Sequence, residues 1–191
     1  LRVTYVGELG WELHARIGDL EATYDALIDV GEPHGIRPVG YRALESLRLE
    51  KGYRAWGSDI TPNDTPFEAG LGWAVKLKSG IPFLGREAAE KAAASRPKKK
   101  LAGFTIADPN VMLVGRETIL RNGDFAGYLT SAGFGHTVGK PIGYGYVRNA
   151  DGVDDAYLGA GRYELVVAGE TVPAMLHLSP LYDAGNIRIR G

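Results

Sequence analysis

From Leu101 to Leu178 the chain reads as short runs of β-branched and aromatic residues, cut at close intervals by turn signals. The runs are Leu101–Ile106, Glu117–Arg121, Gly127–Thr130, Ile142–Val147, Arg162–Val167 and Thr171–Leu178. Asn122-Gly123 and Ala168-Gly169 separate pairs of them, and such dipeptides supply the positive φ that a two-residue reversal needs. Short strands at this spacing, with little helix between them, predict a small antiparallel sandwich or barrel. The 27 glycines in 191 residues, about twice the usual share of roughly 7%, agree with a turn-rich fold.

The first half has a different texture. Arg2 to Arg16 reads as two short strands around Gly7-Glu8-Leu9-Gly10. Asp19 is placed to cap a helix whose apolar positions Leu20, Tyr24, Leu27 and Ile28 share one face. A second helix is predicted from about Tyr41 to Glu50, with Gly52 as its stop. Pro62 to Gly72 reads as irregular and Trp73–Leu77 as a strand. Gly85 to Ala94 is rich in Ala and Glu and reads as a helix, ended by Pro97, which disfavours helix in the residue before it. Lys98-Lys99-Lys100 then reads as a solvated linker. The expected fold class is therefore α+β: an α+β unit over residues 1–97, partial in extent, followed by a β-barrel or sandwich unit over residues 98–191. Leu1-Arg2-Val3-Thr4-Tyr5-Val6 reads as the middle of a strand, which points to further residues upstream.

Composition narrows the chemistry. Without cysteine, disulfide scaffolds, thiolate metal sites and cysteine nucleophiles are excluded. A net charge of −1 gives no electrostatic footprint for nucleic acid or an anionic membrane, and no run approaches the roughly 20 apolar residues of a membrane span. Gly70-Leu71-Gly72 and Gly159-Ala160-Gly161 do not complete a dinucleotide fingerprint, and Gly139-Lys140 is followed by Pro141 where a phosphate loop needs Ser or Thr. The four histidines are scattered, so no metal is expected. What remains is Trp11-Glu12-Leu13-His14. A period of two places Trp11 with Leu13 on one face and Glu12 with His14 on the other. A carboxylate beside an aromatic can accept two adjacent N–H donors of a flat heterocycle such as guanine, pterin or flavin; the alternative is an exposed strand Glu paired with an Arg.

Several segments, taken in order, resemble the folate-dependent one-carbon transferases: the glycine cleavage T-protein (aminomethyltransferase) family, including the C-terminal halves of sarcosine and dimethylglycine dehydrogenases. They are Tyr5-Val6-Gly7-Glu8-Leu9-Gly10-Trp11-Glu12, Leu47-Arg48-Leu49-Glu50-Lys51-Gly52-Tyr53, Thr65-Pro66-Phe67-Glu68-Ala69-Gly70-Leu71-Gly72-Trp73, Phe83-Leu84-Gly85-Arg86-Glu87, Gly127-Tyr128-Leu129-Thr130-Ser131 and Pro180-Leu181-Tyr182-Asp183. The Glu-Lys-Gly-Tyr form resembles the dehydrogenase-fused branch. Lys51-Gly52-Tyr53 lacks the Cys of the branch linked to iron–sulfur assembly.

The resemblance implies tetrahydrofolate as cofactor and transfer of an aminomethyl or methylene carbon to it. It implies that Glu12 accepts from the pterin's amino group and ring N–H, that Tyr5 lines the same pocket, and that Arg42, or else Arg48, positions or charge-balances the site. The alternative for that arginine is an ion pair with Glu45 or Glu50. Tyr128 is placed to close over the folate, Glu8 to hold its loop, and Trp56 and Trp73 to pack. The Asp expected to assist proton movement would lie before Leu1, so no catalytic residue is assigned within the chain. FAD would belong only to an upstream domain, and a small methylated amine would be the donor. The location implied is cytoplasmic, or the mitochondrial matrix in a eukaryote. Two other readings stay open: a non-catalytic folate-binding module, and a tetrahydrofolate-dependent demethylase.

Overall fold

The computed structural model describes residues 1–191. Its second half is a closed six-stranded barrel built from β1 (Lys99–Ile106), β2 (Thr118–Arg121), β3 (Asp124–Gly135), β4 (Lys140–Arg148), β5 (Tyr163–Val167) and β6 (Glu170–His177), in the order β1-β4-β3-β2-β5-β6. Every pairing is antiparallel, and β1 with β6 closes the ring. The turn signals sit where they were expected. Asn122 and Gly123 have φ of 55° and 91°, and Ala168 and Gly169 of 50° and 89°, so both hairpins reverse on two left-handed residues.

The strand Ile142-Gly143-Tyr144-Gly145-Tyr146-Val147 shows how the barrel faces two ways. Its small residues point inward: a Cβ on Gly143 would meet Leu129 Cδ1 at 2.4 Å, and one on Gly145 would meet Ile119 Cδ1 at 2.8 Å. The room they leave is filled by the interior cluster of Phe104, Ile106, Ile119, Leu129, Val147 and Leu165 with their neighbours. Its large residues, Ile142, Tyr144 and Tyr146, point outward and form a second cluster with Leu101 and Leu49. A strand buried on both faces needs something to cover the outer one. That cover comes from the first half, chiefly through Leu49, which is 1% exposed.

The first half holds α1 (Leu20–Gly31), α2 (Tyr41–Lys51) and α3 (Arg86–Ala94), with irregular chain between them. A short helix, α4 (Asp155–Gly159), links β4 to β5, and another, α5 (Ile187–Arg190), ends the chain. Helix α2 stops at Gly52, whose φ of 70° is left-handed. Its amide and that of Tyr53 cap the carbonyls of Leu49 and Arg48 at 3.1 and 2.9 Å.

Several local expectations are corrected. Residues 2–16 form no strand pair: Leu1 and Glu12 exchange two backbone hydrogen bonds of 2.8 Å, but no ladder follows, because the chain between them bends at residues 5–9 and meets no neighbouring strand. Trp73–Leu77 is not a strand either. The amides of Ala74 and Val75 bond back to Leu71 and Gly72 at 3.0 and 3.1 Å, which closes a 3-10 turn over Gly72–Ala74. Asp19 precedes α1 without a side-chain cap bond; its carbonyl instead accepts from Thr23 Oγ1 at 2.6 Å. Of the three lysines only Lys98 is exposed outside a strand, and the other two are not part of a solvated linker. Lys99 and Lys100 open β1 and pair with Asp64 and Asp155, carboxylates on separate segments that fix where the barrel's first strand begins.

Candidate functional site

The segment Ser46–Lys51 would leave its polar residues in water if α2 were an ordinary surface helix. Instead Arg48, Glu50 and Lys51 are 2%, 1% and 1% exposed, a placement that is costly unless each charge is paired. Arg48 donates to Asp59 at 2.7 Å, to Ser131 at 3.1 Å and to Glu45 at 2.7 and 2.9 Å. Asp59, wholly buried, accepts in addition from the Ala55 amide at 3.0 Å, from Ser131 Oγ at 2.7 Å and from Thr130 Oγ1. Its carbonyl accepts from Tyr146 Oη at 2.9 Å. Burial alone would push the Arg48 guanidinium down; Asp59, helped by Glu45, more than offsets this and holds it above its ordinary value. This network ties α2, the irregular chain after it and barrel strands β3 and β4 to one point.

Glu50 and Lys51 extend the ties to the chain's end. Glu50 accepts from the Thr137 and Val138 amides at 2.6 and 2.8 Å, and its carbonyl accepts from Leu181 and Tyr182 at 3.1 and 3.0 Å. Lys51 donates to Asp183 at 2.9 Å, and Tyr182 donates its hydroxyl to Glu8. The C-terminal segment is thereby pinned against both α2 and the first ten residues.

These pins enclose a cavity of about 400 Å³ lined by Tyr5, Tyr53, Arg54, Trp73, Pro180 and Asn186, among others. The Tyr5 ring stacks on Tyr53 with centroids 6.3 Å apart and planes 18° from parallel, and its hydroxyl donates to the Arg54 carbonyl at 3.3 Å. Burial pushes both phenols above their ordinary value, so both stay protonated at neutral pH and act as neutral hydrogen-bonding groups. Arg54 is spent on structure, donating to the Ala69 carbonyl at 3.0 Å and to Gly52, with burial pushing its guanidinium down. No carboxylate lines the cavity, and Lys51 is paired with Asp183. The walls offer aromatic faces and hydroxyls, a surface suited to a flat, neutral ring.

Of the four residues picked from sequence, Tyr5 lines this cavity, and Glu12, Arg42 and Tyr128 do not. Glu12 lies on the same N-terminal excursion, exposed, with His14 at 3.4 Å. Arg42 is exposed in the first turn of α2. The ion pair with Glu45 that was its alternative belongs to Arg48, and Glu50 is occupied by backbone amides. Tyr128 is on the barrel wall between the guanidinium groups of Arg116 and Arg148, 6.0 and 5.9 Å from its ring. Trp56 and Trp73, expected to pack, are 74% and 78% exposed: both sit on tight turns that hold the indole off the core, and Trp73 instead lines the cavity. Tyr53 and Arg54 were missed, although both follow the Gly52 stop. Asp59 was missed because nothing in Trp56–Ile60 marks a carboxylate that becomes wholly buried.

The chain's two parts match two family models in sequence: the GCVT N-terminal domain over residues 1–79 and the glycine cleavage T-protein C-terminal barrel domain over residues 99–183. Sarcosine dehydrogenase of Mus musculus, a mitochondrial protein, is 43% identical over 100% of this chain and 21% of its own length. Mitochondrial dimethylglycine dehydrogenase of Homo sapiens is 36% identical over 95% of this chain and 20% of its own. The chain thus spans about a fifth of the length of these relatives. The crystal structure of the glycine cleavage system aminomethyltransferase T from Bartonella henselae superposes with a TM-score of 0.81 at 29% identity, covering 96% of this chain and 49% of that one. The mixed first half, the closed barrel and the ordered motifs agree with these matches, and the chain belongs to the glycine cleavage T-protein (aminomethyltransferase) family, related to the sarcosine and dimethylglycine dehydrogenases.

Proposed function

We propose that the chain forms part of a tetrahydrofolate-binding unit for one-carbon transfer, within a protein of the sarcosine or dimethylglycine dehydrogenase kind. In this reading residues 1–97 are the folate-side unit and residues 98–191 the barrel that braces it. The observation that carries the proposal is the aromatic cavity of Tyr5, Tyr53 and Trp73, assembled from the same segments that carry the family motifs. Its residues fit a pterin on the aromatic side. Tyr5 and Trp73 would hold the ring by its faces. Glu12, whose exposed carboxylate has only His14 beside it, would accept from the amino group and ring N–H. Arg42 and Tyr128 are assigned to the outer margin, toward the rest of the folate.

Bound tetrahydrofolate supplies the nucleophilic nitrogen that captures the donated carbon. The chain's own residues bind and orient: the two phenols, protonated at neutral pH as any phenol is and pushed further that way by burial, cannot serve as bases, and Lys51 is committed to Asp183. Proton transfer in this proposal falls to a carboxylate outside these residues, and the methylated amine donor and any FAD to other parts of the protein. No helix is long and apolar enough to cross a membrane, and we place the protein in the cytoplasm or, in a eukaryote, the mitochondrial matrix.

Titration calorimetry with tetrahydrofolate tests the assignment. Glu12→Gln is expected to weaken binding by about 1–3 kcal/mol, the loss of a charged acceptor, and Trp73→Ala to weaken it through the loss of an aromatic face. Folate affinity unchanged in Glu12→Gln would overturn the role of that carboxylate, and unchanged affinity in both variants would overturn the site.

A further inference from the structure

A second cavity, of about 480 Å³, opens at the β1–β6 seam of the barrel and shares no residue with the aromatic one. Its apolar floor is made by Leu158, Tyr163, Ala174 and Leu176, and its polar margin includes Lys140 and Arg162. The floor is rigid. Leu158 and Tyr163 are 0% and 3% exposed, and the Tyr163 hydroxyl is fixed on the Leu158 carbonyl at 3.0 Å. Thr105, also in the wall, is held by His177 Nε2 at 2.8 Å.

The charges at its margin are unspent. Elsewhere on the barrel Lys99 pairs with Asp64, Lys100 with Asp155 and Arg96 with Asp154, whereas these two cations stand at the rim of a concavity. Lys140 and Arg162 have neither a salt bridge nor a side-chain hydrogen bond, and no Asp or Glu lines the cavity with them. The field of Lys140 already reaches inward: together with burial, the larger effect, it pushes the His177 imidazole below its ordinary value, so the ring adds no positive charge near neutrality. Two free cations over an uncharged apolar floor, in a concavity of the size that small ligands occupy, concentrate anions that carry an apolar body.

We propose that this cavity is a binding site for a small amphipathic organic anion, its apolar body on the half-buried Ala174 and Leu176 and its carboxylate drawn to the cations of the margin, Lys140 and Arg162. Neither cation supports the fold through a contact of its own, so the site can be altered without unpairing a buried group. The test is a titration of the full chain with phenylacetate, followed by amide chemical shifts, with benzyl alcohol and phenethylammonium as matched neutral and cationic probes. Phenylacetate is expected to shift the amides of Thr105, Ala107, Gly161 and Met175 to saturation, and the other two probes to bind about tenfold more weakly. Lys140→Gln with Arg162→Gln should weaken phenylacetate by about tenfold or more, the scale of one lost charged hydrogen bond, with the melting temperature unchanged. Should that double variant fail to fold, Met175→Glu, at a position 62% exposed, places a carboxylate at the margin and should weaken phenylacetate alone. Equal affinity for the three probes, shifts confined to the aromatic cavity, or a charge variant that binds phenylacetate as well as the parent would each overturn the proposal.

Discussion

The barrel and the first 45 residues are held by opposite means. In the barrel, side chains such as Leu129, Ile119 and Leu165 are 0% exposed, and burying each is worth about 1.5–3 kcal/mol. Among residues 1–45 only Gly7 is buried, and the apolar face of α1 leaves Leu20, Leu27 and Val30 exposed at 46%, 45% and 71%. The first half is therefore fastened by the short stretch Ser46–Asp59, whose attachments are mostly charges and hydrogen bonds. Apolar packing tolerates small shifts, whereas a hydrogen-bonded ion pair fixes position within tenths of an ångström. The aromatic cavity lies on the fastened side of that seam, where exact placement of Tyr53 and Arg54 matters more than depth of burial.

The largest expected break in this contrast comes at Asp59. Asp59→Ala leaves the Arg48 guanidinium, 2% exposed, without its main partner, and removing one member of a buried pair costs about 3–5 kcal/mol. Urea unfolding should show that loss, and amide exchange should show residues 46–60 opening first. A loss under about 1 kcal/mol would mean that the seam is held by Leu49 and its tyrosines, and that the two regions are fastened alike. Leu129→Ala, on the barrel side, should cost about 2–5 kcal/mol by transfer and cavity terms, with exchange rising across β3 and β4 and the residue 46–60 amides opening no earlier than the rest. If both variants opened the same amides in the same order, the distinction between the regions would fail.

The barrel was legible in sequence because its signals are local. A two-residue turn such as Asn122-Gly123 and the alternation in Ile142–Val147 state their conformation within a few residues. The first half was legible in its helices for the same reason. It was misread where the outcome depends on distant partners. Nothing within Trp73–Leu77 announces that its amides will close a turn instead of joining a ladder, and Lys99 and Lys100 read as solvated because Asp64 and Asp155 lie 35 and 55 residues away. At the site, the motif around Gly52 marked the right region, but the residues that line the cavity there, Tyr53 and Arg54, gain that role from the pins at Asp59 and Asp183. Those carboxylates carry no local signature.

Acid should separate the two regions by a smaller amount. Burial raises the Asp64 carboxyl, but hydrogen bonds from Lys99 and Thr61 outweigh it and leave the group below its ordinary value. The folded state then holds this proton less tightly than the unfolded state, whose carboxyl titrates near about 3.9. The resulting stability is fully present above that pH and is lost as pH falls through the lower, folded value. Between pH 5 and pH 3 the urea midpoint of the parent should fall more steeply than that of Asp64→Asn. Parallel acid limbs would show that the Lys99 pair contributes nothing to joining the irregular chain to β1.

The smallest effect is expected where the contrast is most extreme. Leu27 is on the apolar face of α1, which the chain itself leaves open, so Leu27→Ala removes little area from a packed environment and gains slightly in helix propensity. The change in stability should stay within about 0.5 kcal/mol, against several for Leu129→Ala. A cost near that of a core leucine would mean that α1 is covered in solution, and the only surface available to cover it in a sample of the pure chain is a second copy. Urea unfolding at two protein concentrations decides between the cases: a concentration-dependent midpoint in the parent, absent in Leu27→Ala, would assign the face to self-association, and a midpoint independent of concentration with a small mutational cost would leave the barrel as the one region of this chain stabilised by its own apolar core.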